Sequence, residues 1–107
     1  MNAWGFLAIA IALEIVGTAL LKASHGFEKW HWGGGALLCY ALCFVALAPA
    51  LRDLPVGLAY SIWSGIGIIG ASVLGVLLFS DKLGMLQYFF IAMILVGVVG
   101  LKLTAEN

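Results

Sequence analysis

One carboxylate in this sequence sits where a charge is hard to keep. Of ten charged residues, five Lys or Arg and five Asp or Glu, nine (Lys22, Glu28, Lys29, Arg52, Asp53, Asp81, Lys82, Lys102 and Glu106) fall at the ends of long apolar runs or between them. Glu14 alone lies near the middle of one. An ionised side chain at the centre of a membrane span costs at least about 2.5 kcal/mol, so such residues face a protein interior or a watery cavity and mark ion or substrate paths. Desolvation penalises the charged form. Protonated, Glu14 suits an apolar site; ionised, it needs a cation, and a membrane-permeant organic cation or a returning proton can each fill that need. Two ligands competing for one carboxylate is the minimal chemistry of an antiporter. A purely structural role, with Glu14 protonated or bonded to a neighbouring helix, finds no Lys, Arg or His at comparable depth to neutralise the charge.

Helical spacing supplies the neighbours. Leu7, Ala10, Ile11, Gly17 and Thr18 share a face with Glu14 by steps of three, four and seven residues. Small residues flank the carboxylate and leave space for a ligand. Tyr60, Trp63, Ser64 and Gly67 make a comparable stripe in the third apolar run, and Tyr40 and Phe44 another in the second. Trp and Tyr normally form belts at the membrane interface, a reading that suits Trp4, Trp30, Trp32 and Tyr88. Trp63 lies too deep for a belt. Beside Tyr60 it can present a π face to a cation while the Tyr hydroxyl bonds a carboxylate. Gly65 and Gly67 follow directly, and glycine both weakens a helix and permits close approach, so the pair serves as a hinge or as a packing contact. Cys39 and Cys43, one helical turn apart without His or acidic partners, read as small apolar filler.

These residues need elements to hold them, and the composition dictates which. The 107 residues are 64% hydrophobic and 9% charged, a lipid-facing balance. A span requires about 20 apolar residues, and the runs 3–21, 33–51, 56–79 and 85–103 nearly exhaust the chain. They are continuously apolar rather than alternating, which predicts helices and not a closed barrel. The expectation is an all-α integral membrane protein: one four-helix transmembrane domain over residues 1–107, its helices running alternately up and down through short polar connections. Pro49 lies where it would kink the second helix and Pro55 where the third can begin. The first run has no basic residues before it and carries a Glu, so it is expected to be retained rather than cleaved as a signal peptide. No phosphate loop, Ser-His-Asp set, zinc spacing or basic nucleic-acid face is present, so the sequence predicts neither an enzyme nor a nucleic-acid binder, and no cofactor.

One carboxylate and four helices are too few to surround an organic cation, which points to an oligomer. Alternating spans place Arg52 and Lys102 on the side of the N-terminus and Lys22, Lys29 and Lys82 on the other. Two against three is a weak positive-inside bias. Chains inserted both ways could pair antiparallel around a midplane site, the symmetry that supports alternating access in longer transporters.

The segments Leu13-Glu14-Ile15-Val16-Gly17-Thr18, Leu21-Lys22, Ser24-His25-Gly26-Phe27 and Leu54-Pro55-Val56-Gly57-Leu58-Ala59-Tyr60-Ser61-Ile62-Trp63-Ser64-Gly65-Ile66-Gly67 resemble the small multidrug resistance transporters. The resemblance runs nearly end to end. It implies an antiparallel dual-topology homodimer in the bacterial inner membrane. The implied activity is export of lipophilic or quaternary ammonium cations, driven by the proton gradient, with both Glu14 carboxylates in a shared pocket. It also implies Tyr60 and Trp63 as pocket residues, Tyr40 as their neighbour and Gly65 and Gly67 as a helix 3 kink. Trp4 stands where related multidrug exporters often have Tyr and keeps the aromatic contact; Phe90 stands where they tend to have Gly. Guanidinium exporters of the family look like Glu-x-x-Trp, whereas this chain has Gly17 at that position, as the quaternary ammonium branch does. Export of guanidinium or polyamines, and a non-transporting membrane subunit with Glu14 as a helix-pairing contact, are the competing readings.

Overall fold

The computed structural model of the chain describes residues 2–104, and four helices account for nearly all of them: α1 (Ala3–Ala23), α2 (Trp30–Asp53), α3 (Val56–Phe79) and α4 (Met85–Thr104). Each is long and apolar enough to cross a membrane. At about 1.5 Å per residue, even the 20 residues of α4 reach the thickness of a hydrocarbon core, roughly 30 Å. The all-helical, four-span expectation holds. Where helix ends differ from the apolar runs, the helix is the longer. α2 starts at Trp30 because the Trp30-His31-Trp32 segment keeps its backbone bonds in the helix while its rings lie outside the apolar run, with Trp30 77% exposed and packed edge-on to His31.

The connections satisfy the backbone groups that helix ends leave open. Asn2 caps α1, its Oδ1 accepting from Gly5 N–H at 2.9 Å. At the other end Ser24, fully buried, is the hub of the α1–α2 turn. Its hydroxyl donates to Leu21 O at 2.6 Å and accepts from Phe27 N–H at 3.1 Å, and its carbonyl accepts from Lys29 N–H at 3.0 Å. The chain reverses there through three consecutive left-handed residues, His25, Gly26 and Phe27, at φ 51°, 69° and 70°. Phe27 then lays its ring over Gly33, where any Cβ would collide with it. α2 stays helical through Pro49 to Asp53, and the break comes at Leu54 and Pro55 instead. α3 ends at Ser80, left-handed at φ 58°, with Asp81 N–H bonded back to Gly75 O. α4 starts under a side-chain bond from Gly84 N–H to Gln87 Oε1 at 2.7 Å, half of a capping box.

The helices form two compact hairpins, α1 with α2 and α3 with α4, dividing after Leu54. The first is built on a seam of small residues. Leu7, Ala10, Ile11 and Gly17 of α1 and Gly33, Ala36, Cys43, Ala46 and Ala50 of α2 are buried at helical steps of three, four and seven. In lipid the apolar effect gives helices no reason to associate, so contact rests on close packing, which small residues allow. The second hairpin buries Ala59, Ile62, Gly65, Gly67 and Gly75 of α3, whereas α4 buries only Val98 among its described residues.

Candidate functional site

Glu14 projects from the middle of α1 and is half-buried. Thr18 lies one turn further on, its hydroxyl donating to Glu14 Oε2 at 3.3 Å. The same Thr18 oxygen lies 2.8 Å from the hydroxyl of Tyr40 on α2. The directions of these bonds follow from counting protons. An ionised carboxylate only accepts and a Thr hydroxyl has one proton; with that proton on Glu14, Tyr40 must be the donor to Thr18. A chain of two hydroxyls thus runs from α2 to the carboxylate. The shorter link is the inter-helical one, and the bond to Glu14 is long for O–H···O.

Tyr40 reaches Thr18 because the residue before it is glycine. A Cβ on Gly17 would stand 3.1 Å from Tyr40 Cε1 and 3.2 Å from both Tyr40 Cδ1 and Cys39 Cβ. The space that sequence reading assigned to a ligand at Gly17 is occupied here by the tyrosine ring. Leu7 and Ala10 likewise offer no surface: at 2% and 0% exposure they lie within the α1–α2 hairpin, with Ile11 beside them at 7%. The spacing that places them on the Glu14 face is also the spacing two helices need to pack, and in this protomer they contribute to the α1–α2 seam. Trp4 is half-buried near the start of α1, and Phe44 stays 56% exposed on α2.

In the second hairpin Tyr60 and Trp63 form the aromatic pair that their spacing predicts, with ring centroids 5.5 Å apart and planes tilted by 43°. Tyr60 is 59% exposed. Gly65 and Gly67 are buried within the continuous α-helix α3. Gly65 lies against α4: a Cβ there would run into Cγ2 of Val98. An apolar groove of about 180 Å³, lined by Ile69, Val73, Val76, Leu83, Tyr88 and Ile91 among others, lies elsewhere in this hairpin and includes none of the expected site residues. Among the described residues, no three His, Cys, Asp or Glu side chains come together as a metal site would require.

Sequence reading named Thr18 and Tyr40 separately but missed the bond joining them. The signal was the Gly17-Thr18 pair, a seat for a ring beside a hydroxyl to receive it, but its partner on α2 is 22 positions away. Val98 was missed because residues 91–101 of α4 are all apolar and leave no polar side chain near it to mark a face.

A sequence model of the small multidrug resistance proteins matches residues 2–94. The quaternary ammonium compound-resistance protein QacC of Staphylococcus aureus is 33% identical over 98 residues, 92% of either chain. QacE of Escherichia coli, likewise a quaternary ammonium compound-resistance protein, is 36% identical over 99% of this chain and 96% of its own. A guanidinium exporter of Yersinia pestis is 37% identical over 96% of this chain and 99% of its own.

Proposed function

We propose a transport function for this chain, which belongs to the small multidrug resistance family and is a multi-pass membrane protein. It exports lipophilic and quaternary ammonium cations in exchange for protons, the two competing for Glu14 as the site alternates between the two faces of a bacterial inner membrane. The observation that carries this reading is Glu14 itself, an acidic side chain half-buried in the middle of a 21-residue span and, among the described residues, bonded through neutral hydroxyls to the helix beside it. Such a group can hold a proton or a cation but is not already neutralised by a fixed one. The exposed Tyr60 and its tilted partner Trp63 suit a cation that has no N–H to donate, since π faces attract it through charge and dispersion.

The active unit is an antiparallel dual-topology homodimer. Two features support it: the two-against-three split of Lys and Arg between the sides, and α4, which leaves nearly its whole length uncovered within the protomer. A second protomer supplies the second carboxylate and the remaining walls of the pocket.

Guanidinium export is the second reading, because a named guanidinium exporter matches as well as the Qac proteins do. Against it stands Gly17, where guanidinium exporters look like Trp. A planar guanidinium benefits from a braced carboxylate and placed acceptors.

The test is Glu14→Gln, which keeps shape and removes charge. Purified Glu14→Gln protein should insert and remain helical, yet neither bind benzyltrimethylammonium nor release protons when it is added; proteoliposomes should show no pH-driven uptake. Substantial uptake by this variant would sink the assignment, and an intact parent protein that releases no proton would favour a non-transporting subunit.

A further inference from the structure

We propose that Tyr40 and Thr18 form a positioning relay that orients and stabilises the ionised Glu14 carboxylate, with Gly17 as the seat that admits the Tyr40 ring; this rests on Glu14 being the proton- and cation-binding group. Three measurements converge on it. The Tyr40 and Thr18 hydroxyls are 2.8 Å apart, Thr18 Oγ1 is 3.3 Å from Glu14 Oε2, and a Cβ on Gly17 would press on the Tyr40 ring at 3.1 and 3.2 Å. Of the four residues Tyr40 alone is on α2 and the other three are on α1, so the relay exists only while α1 and α2 are packed as they are.

Its polarity depends on the carboxylate. With Glu14 ionised, the only consistent order is Tyr40 O–H to Thr18 O–H to the carboxylate, every proton directed toward the charge. With Glu14 protonated, Thr18 no longer has an anion to serve and its proton can turn to the Tyr40 oxygen. The relay is therefore ordered end to end when Glu14 is ionised, the state that receives a cation, and relaxes when the proton returns. A hydroxyl fixed by a second hydroxyl also has less freedom to lose when it binds the anion, which is why the inter-helical link matters although the hydrogen bond from Tyr40 goes to Thr18 and not to Glu14. On α2 the groups able to titrate near this relay are Tyr40, Cys39 and Cys43, and on α1 Glu14 itself; Lys22, the nearest cation in sequence on α1, is two turns away and exposed.

The relay can be measured without a cargo. In full-length protein labelled at the Glu carboxyl carbons, the pH profile of the Glu14 signal is followed for the parent, Thr18→Val, Thr18→Ser, Tyr40→Phe and the double variant Thr18→Val/Tyr40→Phe. A hydrogen bond to the charged form favours ionisation, so losing it should move the profile to higher pH. For a long bond the displacement is about half a unit, a threefold change in the proton equilibrium. Thr18→Val should show it, Thr18→Ser should restore the parent profile, and Tyr40→Phe should show part of it. The double variant should match Thr18→Val alone, because Tyr40 acts only through Thr18. Parent-like profiles in both Thr18→Val and Tyr40→Phe, or additive displacements in the double variant, would overturn the relay. Proton release on adding benzyltrimethylammonium is measured on the same samples. If the carboxyl profile moves as expected but the parent releases no protons, the relay stands and the transport reading fails.

Discussion

Gly65→Ala separates two uses of glycine in α3, a hinge and a contact surface. Gly65 is buried, and of the atoms a new Cβ would meet, Ile94 Cγ2 at 3.4 Å and Val98 Cβ at 3.7 Å are near ordinary carbon contact. Only Val98 Cγ2 lies too close. Val98 has little room to yield, since a β-branched residue in a helix strongly prefers one χ1 well and twisting it about 30° out costs roughly 0.5–1.5 kcal/mol. Overpacking of this kind costs about 1–3 kcal/mol, offset by the roughly 1 kcal/mol that Ala gains over Gly in a helix. Gly65→Ala should therefore weaken the α3–α4 hairpin by up to about 2 kcal/mol.

Val98→Ala removes the obstructing methyl and leaves the two Cβ atoms 3.7 Å apart, an ordinary contact. Because lipid is as apolar as a Val side chain, its own cost is lost packing rather than exposure to water. The double variant should accordingly be close to Val98→Ala alone, with a coupling of up to about 2 kcal/mol in the cycle. Reversible unfolding of all four proteins in micelles gives the cycle, and transport assayed in parallel shows whether activity follows it. If Gly65→Ala is equally damaging with Val98 and with Ala at position 98, the contact is irrelevant and backbone freedom at Gly65 is what the protein uses.

Two further outcomes test the cargo and the assembly. Trp63→Ala should weaken binding of benzyltrimethylammonium by about tenfold or more, the worth of a largely desolvated cation–π contact, and should affect guanidinium less; titration calorimetry showing equal losses would remove Trp63 from cargo selection. Adding two Lys at the ends of the chain's spans on one side should force a single orientation and silence the protein expressed alone, with activity returning when an oppositely biased copy is co-expressed; full activity of either biased protein alone would exclude the antiparallel dimer.

The sequence made the spans legible because hydropathy over some twenty residues is a summed property that no single neighbour can override, and Glu14 stood out for the same reason, as a lone exception in such a sum. Tyr60 and Trp63 were found together because three residues along one helix fix their proximity regardless of other helices. Contacts between helices were less legible. Periodicity put Leu7 and Ala10 on the Glu14 face but could not say that α2 would cover them, since a stripe of small residues reads alike as pocket wall and as packing seam. Gly65 had the same ambiguity until Val98 was placed against it.

Position 17 joins this packing question to the choice of cargo. Relatives named for quaternary ammonium resistance and for guanidinium export match this chain at comparable identity and over comparable lengths, so overall likeness does not separate the two proposed cargoes. At Gly17 even a Cβ would crowd Tyr40 at 3.1 Å. The indole of Gly17→Trp could not coexist with the tyrosine ring in its present place; it would have to displace that ring and take Thr18's partner with it. The side chain at position 17 therefore does more than open or fill a pocket. It decides whether Thr18, the hydroxyl that bonds Glu14, keeps its own partner Tyr40 on the neighbouring helix. With glycine, the described residues place one hydroxyl on one edge of the carboxylate; under the proposed function that arrangement sets few directional demands on a cation and suits one with no hydrogen to offer.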